Sequence, residues 1–298
     1  MAIKKILILG GTGMLGHTLF THLSKNSNYD VRATARSERN LRQFPEELRT
    51  RIRPDVDANN FDTIVRAIAS IHPDIVINCI GIIKQLWQAS DPLSAITVNS
   101  QLPHRISLLC SATKVKLIHI STDCVFSGKR GCYKEHDTPD ADDLYGRTKL
   151  LGEVSYPHCL TLRTSIIGHE KKGFHGLVEW FLKQKEPIRG YTKAIFSGFP
   201  TIELATILSD FVLSNPSLQG VYHVSSEPIS KYDLLSMIAE KYGKPIKIEP
   251  YDDYQIDRSL DSDRFKKTTG YTPPPWLELV DRMYSHFKTS PIYSFPAD

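Results

Sequence analysis

Tyr145 and Lys149, in the run Tyr145-Gly-Arg-Thr-Lys149, stand four residues apart. On a helix that spacing sets a phenol and an ammonium on one face, about 6 Å apart at Cβ, where the fixed charge is expected to lower the phenol's pKa. A tyrosine so placed donates a proton to a carbonyl near neutral pH. Upstream, Gly10-Gly-Thr-Gly-Met-Leu-Gly16 lies between a short apolar strand and an amphipathic helix. This G-x-x-G-x-x-G turn is a variant of the dinucleotide fingerprint, in which bare Cα atoms let backbone amides approach a pyrophosphate at a helix N-terminus. Nicotinamide dinucleotides carry a hydride while protein groups orient and polarise. Together the two features predict a carbonyl reductase, with Gly10, Thr12, Gly13, Met14, Leu15 and Gly16 around the cofactor.

Further positions complete the cofactor set. The second strand ends Ala33-Thr-Ala-Arg-Ser37, with Arg36 where an NAD-selective protein places an acid for the ribose hydroxyls. A guanidinium suits a 2′-phosphate, so NADPH is expected, with NADH as the alternative. Asp55 and Val56 close the third strand. Asn78, Cys79, Ile80 and Gly81 close the fourth, where backbone would pass beside the cofactor ribose. Asn99 either supports a proton relay or bonds a neighbouring strand.

The elements that must position these residues alternate along the chain. Apolar runs at Ile3 to Leu9, Tyr29 to Ala35, Arg51 to Val56, Asp74 to Ile80, Lys116 to Ile120 and Cys159 to Ile167 read as strands. Helical spacing fills the gaps: through Leu23, over Phe61 to Ser70, from Pro103 past Ile106 and Cys110, and from Leu144 to Val154. Such alternation predicts an α/β, Rossmann-type doubly wound parallel sheet, with ligands at the carboxyl ends of its strands. Beyond Gly168 the rhythm loosens. Thr201 reads as a cap, Gly220 to Val224 as a strand, and Ser230 with Asp233 as a capping box for a helix ending at Gly243. Residues 1–168 are thus expected to form the NADP-binding domain, and 169–298 a smaller substrate-binding α/β lobe interleaved with the sheet.

Composition excludes several classes. With 37 Lys plus Arg against 33 Asp plus Glu, the formal charge of +4 is too small for a nucleic-acid footprint. No apolar stretch approaches the roughly 20 residues of a membrane span, and no signal peptide is evident. Five cysteines, Cys79, Cys110, Cys124, Cys132 and Cys159, lack metal-ligand spacing. They read as reduced thiols of a soluble cytoplasmic protein with no metal and no membrane partner. A homodimer is compatible with all of this.

The order Gly10 to Gly16, Asn78-Cys-Ile-Gly81, Val98-Asn99, Ser121-Thr-Asp-Cys-Val-Phe-Ser-Gly128, Tyr145-Gly-Arg-Thr-Lys-Leu-Leu-Gly-Glu153 and Leu162-Arg-Thr164 resembles the motifs of extended short-chain dehydrogenase/reductases. Within that group the chain is most similar to dTDP-4-dehydrorhamnose reductases and related nucleotide-sugar 4-ketoreductases. The resemblance spans nearly the whole chain, including Gly220-Val-Tyr-His-Val224. It implies that Thr122 hydrogen-bonds the substrate carbonyl, that Tyr145 protonates the nascent alkoxide, and that Lys149 holds the nicotinamide ribose. Cys124 stands where sugar-nucleotide dehydratases carry a glutamate, which argues against elimination chemistry. Asp123 is either catalytic or a local cap. For the nucleotide-diphosphate sugar, the candidates are Lys84, Gln85, Thr122, Asp123 and Arg258. The family's Arg-Pro pair is missing before Ser259-Leu-Asp261, so how the sugar and base are held is not evident from this segment. Arg163 faces either a ligand or Glu153. The resemblance also admits an epimerase that retains its cofactor, or a non-catalytic regulatory subunit on the same fold, as in the beta subunit of methionine adenosyltransferase.

Overall fold

A computed structural model of the protein describes residues 3–84, 90–171 and 175–294. The chain opens with β1 (Lys4–Leu9), α1 (Met14–Leu23) and β2 (Tyr29–Thr34), then a one-turn α2 (Glu46–Arg49), β3 (Ile52–Arg53), α3 (Phe61–Ile71) and β4 (Ile75–Asn78). Next, α4 (Pro92–Ala95), a π-helical stretch (Ile96–Gln101) and α5 (Leu102–Ala112) form one unbroken helical run, followed by β5 (Lys116–Thr122), α6 (Leu144–Leu151) and β6 (Cys159–Thr164). The second half adds β7 (Ile166–Ile167), α7 (Leu177–Lys183), β8 (Ile188–Phe196), β9 (Phe199–Pro200), α8 (Thr201–Ile207), β10 (Gly220–His223) and β11 (Ile229–Ser230). It closes with α9 (Lys231–Lys241), β12 (Ile248–Asp257), α10 (Asp263–Thr269) and α11 (Trp276–Thr289).

Seven strands form one sheet in the order β10-β6-β5-β4-β1-β2-β3, every pairing parallel. Parallel neighbours need crossovers, and helices provide them on both faces. Strand β1 shows why both faces must be covered. Ile6 and Ile8 join Leu15, Leu19 and Leu23 of α1 in one apolar layer, while Leu7 and Leu9 join Ile64, Ile68, Ile106 and Cys110 in another. Each such side chain contributes about 1.5–3 kcal/mol on burial. This is the doubly wound α/β fold, and β10 returns from the second half of the chain to extend its sheet.

Four local expectations are corrected. The third strand stops at Arg53, because Asp55 takes a left-handed backbone (φ 59°) that turns the chain out of the ladder. Pro103 stands in the first turn of α5 as expected, but α5 is no fresh start: it continues a helical run that begins at Pro92. The sixth strand breaks at Ser165, whose carbonyl accepts the Phe199 amide at 2.9 Å, so β7 pairs with β9 instead of continuing the main sheet. Thr201 is the first helical residue of α8 and not its cap, and its hydroxyl accepts a hydrogen bond from Thr18 at 3.2 Å. In the second half, β8 pairs parallel with β12 and antiparallel with β11. The Ser230 capping box forms as expected, with Oγ accepting from the Asp233 amide at 3.0 Å.

Candidate active site

The tyrosine helix α6 is started by Asp143, whose carboxylate accepts the Gly146 amide at 2.7 Å. It is pressed against the turn after β5: a Cβ added at Gly146 would lie 2.2 Å from the Cys124 carbonyl oxygen. That approach brings Tyr145 beside Thr122, the last residue of β5, so that the Thr122 hydroxyl acts on the phenol. The Thr122 hydroxyl also accepts the Cys124 amide at 3.1 Å and lies 3.1 Å from Asp123 Oδ1. Lys149, one turn on, is buried and donates from Nζ to the Ile120 carbonyl at 2.9 Å.

Electrostatics differ from the expectation drawn from spacing. Burial pulls the Lys149 ammonium down to about 8, opposed by Glu153 and the Cys79 thiol. The Tyr145 phenol is raised and not lowered. Burial is the main cause, the Cys124 thiol adds to it, and the Thr122 hydroxyl works the other way. The ammonium is committed to the Ile120 carbonyl, so desolvation prevails at the phenol.

Two glycines have a different status from the rest of the turn. Gly10 (φ +80°) and Gly16 are demanded by the protein itself, since a Cβ at Gly16 would lie 2.1 Å from Gly10 O. At Gly13 an added Cβ would meet nothing closer than Gly10 O at 3.6 Å, and at Gly81 nothing closer than Asn99 Oδ1 at 3.5 Å and Lys149 Nζ at 3.9 Å. No protein neighbour forbids a side chain at either. A Cβ at each would make only ordinary van der Waals contacts, so the packing of the protein does not demand glycine at these two places, one at the α1 N-terminus and one beside Lys149, where a dinucleotide's pyrophosphate and ribose would come close to the backbone. The first-turn amides of α1, Met14 to Gly16, have no intrahelical acceptors, and Gly13 makes no side-chain cap. Thr12 stands in this turn. Arg36 is exposed just past β2, and the exposed Asp55 lines a 320 Å³ cavity with Arg53, Thr63 and Arg66. Val56 is buried in the core, its amide donating to Ala35 O at 3.1 Å. Asn99 clamps the segment after β4, accepting from Ile82 N at 2.9 Å and donating to Ile82 O at 3.1 Å. Cys79 and Ile80 abut the glycine turn, within 3.1–3.3 Å of a Cβ built on Gly10.

Of the substrate candidates, Asp123 is buried and its carboxyl is raised by that burial, while Arg258 and Lys231 favour its charged form. Arg258 donates from Nε to Phe126 O at 2.8 Å. Lys84 pairs with Asp143 at 2.6 Å, so it supports the α6 cap. Gln85 lies outside the described residues. Arg163 settles on Glu153 in a buried two-pronged pair, 2.9 and 2.8 Å, which Ser121 joins at 2.7 Å. A groove of 740 Å³ between Lys134, His136, Val221 and Arg264 contains none of these residues.

Lys231 is the residue that sequence reading missed. It begins α9, reaches over the Phe196 ring at 4.5 Å, and is influenced by Asp123 and Cys124. A signal was there: a lysine in the first turn of a helix opposes the dipole, so some other interaction must hold it.

A doubly wound sheet with Thr122, Tyr145 and Lys149 gathered at the end of β5 is the architecture of an extended short-chain dehydrogenase/reductase. Within that class the chain belongs to the family described as RmlD substrate binding domain, whose model matches residues 4–289. Among solved structures it is similar to dTDP-4-dehydrorhamnose reductase from Bacillus anthracis str. Ames in complex with NADP, with a TM-score of 0.78 at 21% identity, covering 96% of this chain and 100% of that one. A hypothetical dTDP-4-dehydrorhamnose reductase from Sulfolobus tokodaii gives 0.75 at 26% identity, covering 91% and 98%. Curated relatives include methionine adenosyltransferase 2 subunit beta of Xenopus tropicalis, 25% identical over 93% of this chain and 80% of that protein. The probable low-salt glycan biosynthesis reductase Agl14 of Haloferax volcanii is 26% identical over 79% of each. Among the described residues no helix is long and apolar enough to cross a membrane, and all five cysteines are free.

Proposed function

We propose that this chain is an NADPH-dependent reductase of a nucleotide-diphospho-4-keto-6-deoxysugar, forming a deoxysugar donor for surface polysaccharide. The observation that carries the reading is the junction of Thr122, Tyr145 and Lys149 beside the two unforced glycines, Gly13 and Gly81. The bound cofactor supplies the hydride. Thr122 and Tyr145 hold the substrate carbonyl oxygen, and Tyr145 Oη gives up its proton there as the oxygen becomes an alkoxide. A raised phenol pKa does not hinder this, because an alkoxide is far more basic than a phenolate. The amides of Met14 and Leu15 would hold the pyrophosphate, Arg36 the adenosine 2′-phosphate, and Lys149 the nicotinamide ribose. Arg258 and Lys231 would hold the substrate diphosphate.

The test is a panel of dTDP-, UDP- and GDP-4-keto-6-deoxysugars with NADPH. One equivalent of NADPH should be oxidised per sugar reduced. Tyr145→Phe should lose turnover by about 10³-fold, within the usual range for a general acid, and still bind NADPH. Isomerisation without net oxidation, or unchanged turnover in Tyr145→Phe, would overturn the reading.

A second reading is favoured by the relatives named as methionine adenosyltransferase subunits. A chain that binds NADPH, reduces no sugar in the panel and alters the activity of a methionine adenosyltransferase catalytic subunit would be a regulatory subunit.

A further inference from the structure

The end of the described chain reaches back to the glycine turn. Tyr293 lies in the 3₁₀ turn Pro291–Ser294, which is anchored by buried Ile292 and by a bond from Lys171 Nζ to the Ile292 carbonyl at 2.6 Å. Its hydroxyl lies 3.0 Å from His17 Nε2, and the two rings meet edge to face at 5.6 Å. His17 is fully buried on α1, and its Nδ1 lies 2.9 Å from the Gly13 carbonyl.

The donors and acceptors along this chain can be assigned. A carbonyl only accepts, so His17 Nδ1 carries the proton. Burial holds the imidazole near a pKa of 3, hence neutral, which leaves Nε2 as an acceptor and makes the Tyr293 hydroxyl the donor. The Gly13 carbonyl also takes the His17 amide at 2.9 Å, so two donors fix the direction of that peptide group. In a trans peptide the N–H points opposite to the C=O, and this N–H belongs to Met14, first of the free amides at the α1 N-terminus.

We propose that Tyr293 is a positioning residue for the cofactor: through His17 it fixes the Gly13–Met14 peptide so that the Met14 amide is aimed at the pyrophosphate. The inference rests on dinucleotide binding and is independent of which sugar is reduced.

The experiment is NADPH titration of the full chain by calorimetry, with ligand-free melting recorded alongside. Tyr293→Phe keeps the ring packing and removes the donor; it should weaken NADPH binding by about ten-fold and shift the ligand-free melting temperature by only a few degrees. Tyr271→Phe removes another buried phenol, one that donates to Glu203 at 2.9 Å and has no hydrogen bond or ring contact with Tyr293 or His17 among the described residues, and should leave NADPH affinity unchanged. His17→Asn should lose affinity too, and the double variant Tyr293→Phe/His17→Asn should bind no worse than His17→Asn alone, as members of one chain do. Unchanged affinity in Tyr293→Phe, equal weakening in Tyr271→Phe, or additive losses would overturn the proposal. A wild-type chain that binds no NADPH would instead fail the cofactor reading itself.

Discussion

At the scale of single residues, Lys149 titrates within reach of working pH and Tyr145 does not. The ammonium is buried, which disfavours charge and brings it to about 8, so it is protonated below that value and neutral above it. Burial moves the phenol the other way, and its proton stays in place through the same range. The basic limb of kcat/KM for the keto-sugar should therefore fall with a midpoint near pH 8, as the positive charge near the ribose is lost. Lys149→Arg separates the two groups, since a guanidinium does not deprotonate there. Its activity should be lower, but the fall near pH 8 should vanish. A fall that persists in Lys149→Arg would assign the limb to another group.

At the scale of elements, the glycine turn and the Tyr145/Lys149 pair were legible because each is a local pattern whose chemistry depends on a few consecutive residues. The helix beneath them was not. Proline favours the first turn of helices, so Pro103 read as a start. In the fold it lies within the helix 92–112 and has no N–H to return to the Asn99 carbonyl four residues back. The π-helical turns at Ile96–Gln101 absorb that loss, and such turns slip the residue period that sequence reading relies on. The slip has a use: Asn99 turns its amide onto Ile82, and its carbonyl faces the end of α6, where a Cβ on Gly152 would lie 1.9 Å away. Gly152→Ala must part these two helices. It should cost about 1–3 kcal/mol in urea unfolding, the usual range for overpacking, and lower kcat because α6 carries the proposed proton donor. An unchanged unfolding midpoint would show that the two helices separate without cost.

At the scale of the whole molecule, the alternation of strand and helix announced the parallel sheet, but not how the second half of the chain completes the site. That depends on contacts between residues far apart in the chain, which no local period encodes. Strand β10 joins the sheet beside β6, and β11 then pairs with β8 just before α9, so Lys231 is delivered to Asp123 from a different sheet. Arg258, just past β12, has its Nε fixed on Phe126 O and favours the charge of the same carboxylate. On the proposed reading, the sheet holds the reducing groups while the second half of the chain brings two cations, the charge a diphosphate needs. If this division holds, Lys231→Gln should raise KM for the nucleotide sugar by roughly 10–100-fold, the loss of one charged hydrogen bond, with NADPH affinity unchanged. Steady-state kinetics against calorimetric NADPH binding reads both quantities on one preparation. Equal losses in both would mean that Lys231 supports the fold and not the substrate, whereas a loss confined to KM places sugar recognition on the lobe.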